Sequence, residues 1–431
     1  MRIKDYGRNP LKRKQYVLQP DLLLVGVDVS KAKHDACFAQ SNHTISFKNN
    51  REGFQHFEKV LRENITKTKS RKVLIAMEPS GLYWYSLYDR LKKCGYGVCL
   101  SNCQAVKNNR QTMQGGISKT DKKDASSILD LLQQGKFFLP VERDHELTAA
   151  YKLMRRHMAV KKRVGQIRNQ LRGALHLTFP ELSDVLKDIT QPTALRFLQS
   201  NPTPELIMIN GRKRFLEKWR PRRKSGQWRP AKLNMIYDLA KESIGLKDPH
   251  RIDAFEIRTL AGELSAALNN QQLWLDKALE LMENREDFKL LLSLPRIGKA
   301  TAAAILTAIG NISEYTNGKQ LVKLAGLDIR YFESGASIRR RPRVSHVGSA
   351  YLRHWVFHFG LRLIAHVPEF KVIFESYKKK SPGKGSGLRG MMVVCDKVLR
   401  IIYAMLSKNE VYQEKTDKRT AAFYKKLKKA A

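Results

Sequence analysis

Leu22-Leu23-Leu24-Val25-Gly26-Val27-Asp28 is the stretch on which the fold of the N-terminal region turns. It is a short apolar run that ends on a carboxylate, which is how a strand buried on both faces reads. Val73-Leu74-Ile75-Ala76-Met77-Glu78 repeats the pattern about fifty residues on. An acid at the carboxyl end of a core strand is costly to bury unless it is paired or binds a metal. Asp121 and Asp124 follow, three apart, at the start of a helical stretch. That spacing puts both on one helix face. Together the four acids are a candidate cage for Mg²⁺ (or Mn²⁺), ions that take oxygen ligands.

Outward from these runs, residues 21 to about 105 alternate between strand and helix patterns. Strands are expected at 22–29, 34–39, 43–48, 72–77 and 96–101, and helices at 51–63 and 83–93. That order fits a mixed sheet flanked by helices. Beyond residue 120 the strand signal vanishes, and 121–134 and 145–178 read as helices. Residues 179–250 are helical pieces broken by Pro180, Pro192, Pro202 and Pro204. Within them lies a basic loop holding Arg222, Arg223 and Lys224, flanked by Trp219 and Trp228. The two indoles could stack on bases or anchor the loop to a core. Residues 253–284 carry apolar positions at spacings near three, four and seven, the pattern of one long amphipathic helix or a coiled coil. Its partner could be the same chain or a second copy. The expected fold class is therefore α/β plus all-α. The divisions are a basic flexible tail at 1–20, a catalytic domain at 21–144, a helical and coiled-coil region at 145–286, a C-terminal domain at 287–410 and a basic tail at 411–431.

Charge names the class of partner. The chain has 80 Lys+Arg against 40 Asp+Glu, a formal charge of +40. Hydrophobic residues make up 42%, so the chain builds real cores, and the expected partner is a polyanion, with an anionic membrane surface or a ribosome-like assembly as the alternatives. No apolar run approaches the ~20 residues of a membrane helix, and Met1-Arg2-Ile3-Lys4-Asp5 lacks an apolar signal core. The expected location is the cytoplasm, on the nucleoid when acting, with no membrane partner. The 5 cysteines are odd in number and lack zinc-type pairing, so reduced thiols are expected. His354 and His358 share a helix face at a zinc-compatible spacing, but no third ligand accompanies them, so ordinary packing is the expectation.

Two C-terminal strings carry further chemistry. Leu294-Pro295-Arg296-Ile297-Gly298-Lys299 lies between helical stretches, as a phosphate-binding hairpin or a plain turn would. On the first reading Arg296 and Lys299 contact a phosphate. In the second string, Tyr331 to Gly348, Ser334 precedes Gly335 in an expected loop, and Arg339, Arg340, Arg341 and Arg343 crowd within five residues. The arginines call for an anionic partner or for solvent. A serine near a phosphate could be a nucleophile if a base or polarised phosphate activates it.

Val25-Gly26-Val27-Asp28-Val29-Ser30-Lys31, Met77-Glu78-Pro79-Ser80-Gly81 and Lys119-Thr120-Asp121-Lys122-Lys123-Asp124-Ala125 resemble the DEDD domain of insertion-sequence transposases related to the pilin-inversion recombinase. Leu294-Pro295-Arg296-Ile297-Gly298, Leu324-Ala325-Gly326-Leu327, Glu333-Ser334-Gly335 and Leu352-Arg353 resemble that family's second domain. The resemblance spans about 21–178 and 288–400. It implies an RNase H-like (RuvC-like) N-terminal domain with Asp28, Glu78, Asp121 and Asp124 as metal ligands, and Ser334 as the residue that forms a phosphoserine link. It also implies a structured guide RNA from the element that pairs with DNA. Composite sites, acids from one subunit and serine from another, imply a homo-oligomer, a dimer or tetramer. Arg353 becomes a candidate nucleic-acid contact. Two departures stand out: Arg296 replaces a usual glycine, and Val344-Ser345-His346 stands where a Ser-Lys pair is usual. The expected activity is therefore transposition by cutting and rejoining DNA. One rival is a resolvase-like endonuclease that uses water in place of Ser334. Another is a non-catalytic nucleic-acid scaffold.

Overall fold

The apolar runs of the N-terminal region pair into a 5-stranded sheet, in the order β3-β2-β1-β4-β5. The computed structural model describes residues 10–39, 43–113, 121–219, 228–247, 250–334, 338–380, 382–383 and 385–414, with backbone alone at 10, 113, 121–122, 330–334 and 338–342. The chain forms two units, Met1–Glu142 and Arg143–Ala431.

In the first unit, α1 (Pro10–Val17) precedes β1 (Leu22–Val29), β2 (Lys33–Phe38) and β3 (Thr44–Lys48). Then come α2 (Arg51–Thr68), β4 (Lys72–Met77), α3 (Trp84–Lys93), β5 (Gly97–Leu100), α4 (Cys103–Met113) and α5 (Asp121–Gln133). β1, β2 and β3 pair antiparallel, whereas β4 runs parallel to β1 and β5 parallel to β4. Side chains alternate across a strand. Leu23, Val25 and Val27 enter one core with Phe57, Leu61 and Leu87 from α2 and α3. Leu22 and Leu24 enter another with Ile128 and Leu132 from α5. Helices on both faces explain why β1 is apolar throughout rather than alternating. This mixed sheet is compatible with an RNase H-like domain.

The N-terminal tail needs correction. From residue 10 it is helical, and Tyr16 and Val17 are 6% and 5% exposed, packed into the core beneath α5. Arg13 also donates from Nη1 to the Phe137 carbonyl. The charged run Lys12-Arg13-Lys14 masked the two apolar residues that follow it closely.

In the second unit, α6 (His145–Thr178) is followed by α7 (Leu182–Val185), α8 (Pro192–Ser200), α9 (Pro204–Met208), α10 (Gly211–Trp219) and α11 (Pro230–Lys241). Next are α12 (Ile252–Met282), α13 (Glu286–Leu292), α14 (Lys299–Ile309) and α15 (Gly318–Leu324). The hairpin β6 (Ile329–Ser334) and β7 (Ile338–Val344) leads to α16 (Ala350–His366), α17 (Pro368–Lys380) and α18 (Ser386–Lys408). Leu147 and Met154 of α6 share a core with Ala278 and Met282 of α12. Leu171 and Leu175 share a second core with Ile257 and Leu264. The two long helices are thus antiparallel, and the apolar stripe of α12 finds a partner in its own chain. The second core also takes α8 to α11, and the first takes α13 to α18. Both the central helices and the C-terminal ones lie in this one unit.

The rings of Trp219 and Trp228 stand 5.2 and 4.9 Å from Phe197, which settles them as core anchors rather than base-stacking platforms. Arg222, Arg223 and Lys224, between them, lie outside the described residues. All 5 cysteines are free. Among the described residues no helix is long and apolar enough to cross a membrane.

Candidate active site

The parallel register between β1 and β4 matches Val27 with Met77. The next step of the same register sets Asp28 beside Glu78, at the carboxyl ends of neighbouring strands about 4.8 Å apart. Both acids are half-buried. Asp28 lies two residues beyond Gly26 and so on the same face. That face is the one α5 covers: a Cβ on Gly26 would stand 2.5 Å from the Ala125 carbonyl and 2.5 Å from the Leu129 nitrogen. Ala125 follows Asp124, so the glycine lets the acidic helix settle directly on the strand that carries Asp28.

Asp124 is only 5% exposed, and its Oδ1 accepts a hydrogen bond from Arg110 Nη1 at 2.5 Å. Arg110 comes from α4, an element with no clear sequence signal. Asp121 is the first residue of α5, but its side chain lies outside the described residues. Among the described residues no three acidic, histidine or cysteine side chains converge as metal ligands do. The structure thus carries Asp28 and Glu78 one residue beyond the last matched pair of β1 and β4 and puts Asp124 on a helix against β1. It pairs Asp124 with a guanidinium rather than with the other acids.

Two further polar residues adjoin the acids. Asp35 on β2 pairs with Asp28 in the antiparallel register and is 1% exposed. Its carboxylate accepts from Ser46 Oγ and lies 3.5 Å from Lys33 Nζ. The signal for it was a charge inside the strand sequence Lys33-His34-Asp35-Ala36-Cys37-Phe38. Cys103, at the start of α4, donates its thiol to Glu78; burial, and then that carboxylate, push the thiol up from its ordinary value.

In the second unit Ser334 is the last residue of β6, opposite Ile338. This corrects the expected loop: the serine ends a strand of a hairpin whose connecting residues, 335–337, lie outside the description. A string of charged residues hides a strand because it leaves no apolar alternation to detect. Arg339 and Arg340 pair with Glu333 and Phe332 in the register, and Arg343 is exposed. Of the side chains of Ser334, Arg339, Arg340 and Arg341 the structure gives no description. The hairpin rests on a tight base. Gly326 has φ +67°, and a Cβ there would meet Arg353 Nη1 at 2.7 Å and the His346 backbone at 3.0 Å. Arg353 donates from Nη1 to the Ala325 carbonyl at 2.8 Å, so it is a brace of this base rather than an outward cation. Ser345 is 9% exposed and donates to Asp328 at 2.5 Å, which occupies it within the chain.

Comparison with known proteins bears on both units. A family model described as transposase, of the DEDD and IS110 type, matches residues 25–180. A second, described as the transposase IS116/IS110/IS902 family, matches residues 288–375. This chain belongs to the IS110/IS116 transposase family. It is 25% identical to an uncharacterized 44.8 kDa protein of insertion element IS116 from Streptomyces clavuligerus, over 91% of this chain and 96% of that one. It is 23% identical to the pilin gene-inverting protein of Moraxella bovis, over 91% of this chain and 98% of that one. It is also 27% identical to the transposase of element IS1111A from Coxiella burnetii, over 48% of this chain and 52% of that one.

In this transposase the candidate phosphate hairpin is a strained turn. Arg296 has φ 59°, the left-handed region that favours glycine. Arg296 and Lys299 are both exposed, and Gly298 caps α14. The turn therefore offers two free-standing cations at the start of an 11-residue helix. His354 and His358 hold their rings 4.4 Å apart, with no third ligand among the described residues.

Proposed function

We propose that this transposase cuts and rejoins DNA with Ser334 as nucleophile, and that Asp28, Glu78, Asp121 and Asp124 hold Mg²⁺ or Mn²⁺ on an RNase H-like domain. What supports the reading is the β1–β4 register, which ends at Val27 and Met77, one residue before Asp28 and Glu78, on the face covered by the acidic helix α5. Paired carboxylates suit a hard cation in a protein that is otherwise strongly basic. When bound, the ion would offset the charge of the scissile phosphate and steady the reacting oxygens.

Ser334 Oγ attacks phosphorus, a serine–phosphate bond forms, and the bond to the 3′-oxygen breaks. The serine proton leaves by way of solvent and a proton is taken up by the departing 3′-oxygen. A 3′-hydroxyl later attacks the phosphoserine, restores the diester and returns the serine to its protonated form. One phosphate ester replaces another at each step, so rejoining needs no nucleotide cofactor. Arg339, Arg340, Arg341 and Arg343 hold the backbone near the serine, while Arg296, Lys299, Arg222, Arg223 and Lys224 hold it elsewhere. A structured guide RNA supplies the choice of sequence, and a homo-oligomer supplies serine and acids from different subunits. Kinship to a protein named for gene inversion supports rejoining over simple hydrolysis.

The test is a denaturing gel. The protein, Mg²⁺, the element-end RNA and labelled donor and target DNA are incubated beside Ser334→Ala and Asp28→Ala. A labelled adduct that survives denaturation and is missing from both variants supports the reading. Cleavage without an adduct, retained in Ser334→Ala, would instead establish a resolvase-like hydrolase.

A further inference from the structure

From Leu147 to its end α6 contains no Asp or Glu, and neither α14 nor α16 contains any. α16 instead carries Arg353, His354, His358, Arg362 and His366. His354, His358 and Arg362 recur every fourth residue and so share a face. Arg362 closes the row against α14: its Nη2 donates to Thr301 Oγ1 at 2.5 Å, and its Nη1 lies 3.6 Å from where a Cβ on Gly298 would stand. The row therefore ends at the turn that bears Arg296 and Lys299. Lys161 joins it from α6, with its ammonium 5.4 Å from the centre of the Trp355 ring. Lys161 and His358 are exposed, and His354 and Arg362 half-buried.

The charged and titratable groups acting on the two imidazoles are cationic. Burial, then His358 and Lys161, hold His354 below its ordinary value; burial, then Lys161 and Arg362, do the same for His358. His157 of α6 stacks on Trp355 at 6.4 Å, and burial, opposed by its bond to the Gln271 carbonyl and helped by Lys161, lowers it as well. Cations and imidazoles gathered on stretches of helix that hold no carboxylate attract an anion.

We infer that Lys161, His354, His358 and Arg362 form a track for the sugar–phosphate backbone of duplex DNA, continuous with the turn at Arg296 and Lys299. From His354 to Arg362 the row is about 12 Å long at ~1.5 Å per residue. Phosphates beside the imidazoles favour their charged form, so the track takes up protons as DNA binds. The inference rests on the reading of the chain as a DNA-cutting transposase.

Full-length protein is titrated with a fluorescent duplex of random sequence over a series of salt concentrations. Lys161→Gln lowers the slope of log affinity against log salt by about 1. Lys67→Gln, an equal charge change at an exposed position of α2, leaves the slope as it is. His354→Gln with His358→Gln binds as the parent does at about pH 8 but lacks the parent's several-fold gain at about pH 6. Arg362 is left intact because its bond to Thr301 supports the fold. An unchanged slope in Lys161→Gln, or the full pH gain in the double variant, overturns the track. Losses seen with an RNA hairpin but not with the duplex overturn the assignment to DNA. A parent protein that binds no duplex at all sinks the transposase reading itself, a different result from either.

Discussion

Gly26→Ala tests whether the acids depend on how closely α5 approaches β1. The new methyl would meet the Ala125 carbonyl and the Leu129 nitrogen at 2.5 Å, where ordinary contacts begin near 3.4 Å. Both obstacles are backbone, so no side-chain rotation relieves them, and α5 must back off by roughly 1 Å. Overpacking of this kind costs about 1–3 kcal/mol. The strain falls on the contact between α5 and the strand that carries Asp28. Amide hydrogen exchange in α5 and β1 reports it locally: about 2 kcal/mol speeds exchange by roughly 30-fold where opening is limited by local stability. Exchange in α6 and α12, in the other unit, stays as in the parent. The same displacement moves Asp121 and Asp124 away from Asp28 and Glu78, so DNA cleavage drops by at least tenfold, as misplacement of about 1 Å does elsewhere. A Gly26→Ala protein with parental exchange in α5 and parental cleavage would refute the argument that this glycine sets the site.

Three more expectations follow from particular contacts. Arg110→Gln leaves Asp124 buried without its guanidinium, which destabilises the first unit by about 3–5 kcal/mol in the absence of metal; Mg²⁺ recovers part of that in a thermal melt if Asp124 is a ligand, and no recovery removes Asp124 from the ligand set. Arg353→Ala leaves the Ala325 carbonyl unpartnered beside Gly326, at about 1–3 kcal/mol; limited proteolysis then cuts between 326 and 349 sooner than in the parent, and parental resistance would free Arg353 from its role as a brace. Burial holds His34, His157, His354 and His358 below their ordinary value. The unfolded chain therefore takes up protons first as pH falls, so stability is full above about pH 6.5 and declines below it. His34→Phe, filling the space between Phe47 and Phe54, flattens the decline in the first unit, and a melting curve as steep as the parent's would exclude His34 as a source.

Much of the architecture was legible because it rests on periodicity. The bounds of α6 are those read from the pattern, 145 to 178, because an apolar stripe at helical spacing runs uninterrupted between Asp144 and Phe179. The strands at 22–29 and 72–77 were legible for the converse reason, since a strand buried on both faces needs no alternation. Legibility failed where charge overwrote pattern. The arginines of β7 masked a strand, and the lysines near α1 masked a buried Tyr16 and Val17. It failed again at Arg353, because residue type alone does not say whether a guanidinium faces a carbonyl of its own chain or open solvent.

The sequence by itself determined where the principal strands and helices run and that the chain is strongly basic. These follow from local spacing and summed charge, which need no knowledge of distant neighbours. Only the tertiary structure decided that β1 and β4 run side by side up to Val27 and Met77, that Arg110 takes Asp124, and that α12 packs along α6. Each of those is a meeting of residues far apart in the chain. Such meetings are set by strand register and by how closely backbones can approach, at Gly26 above all, and neither quantity is written in any single stretch of sequence.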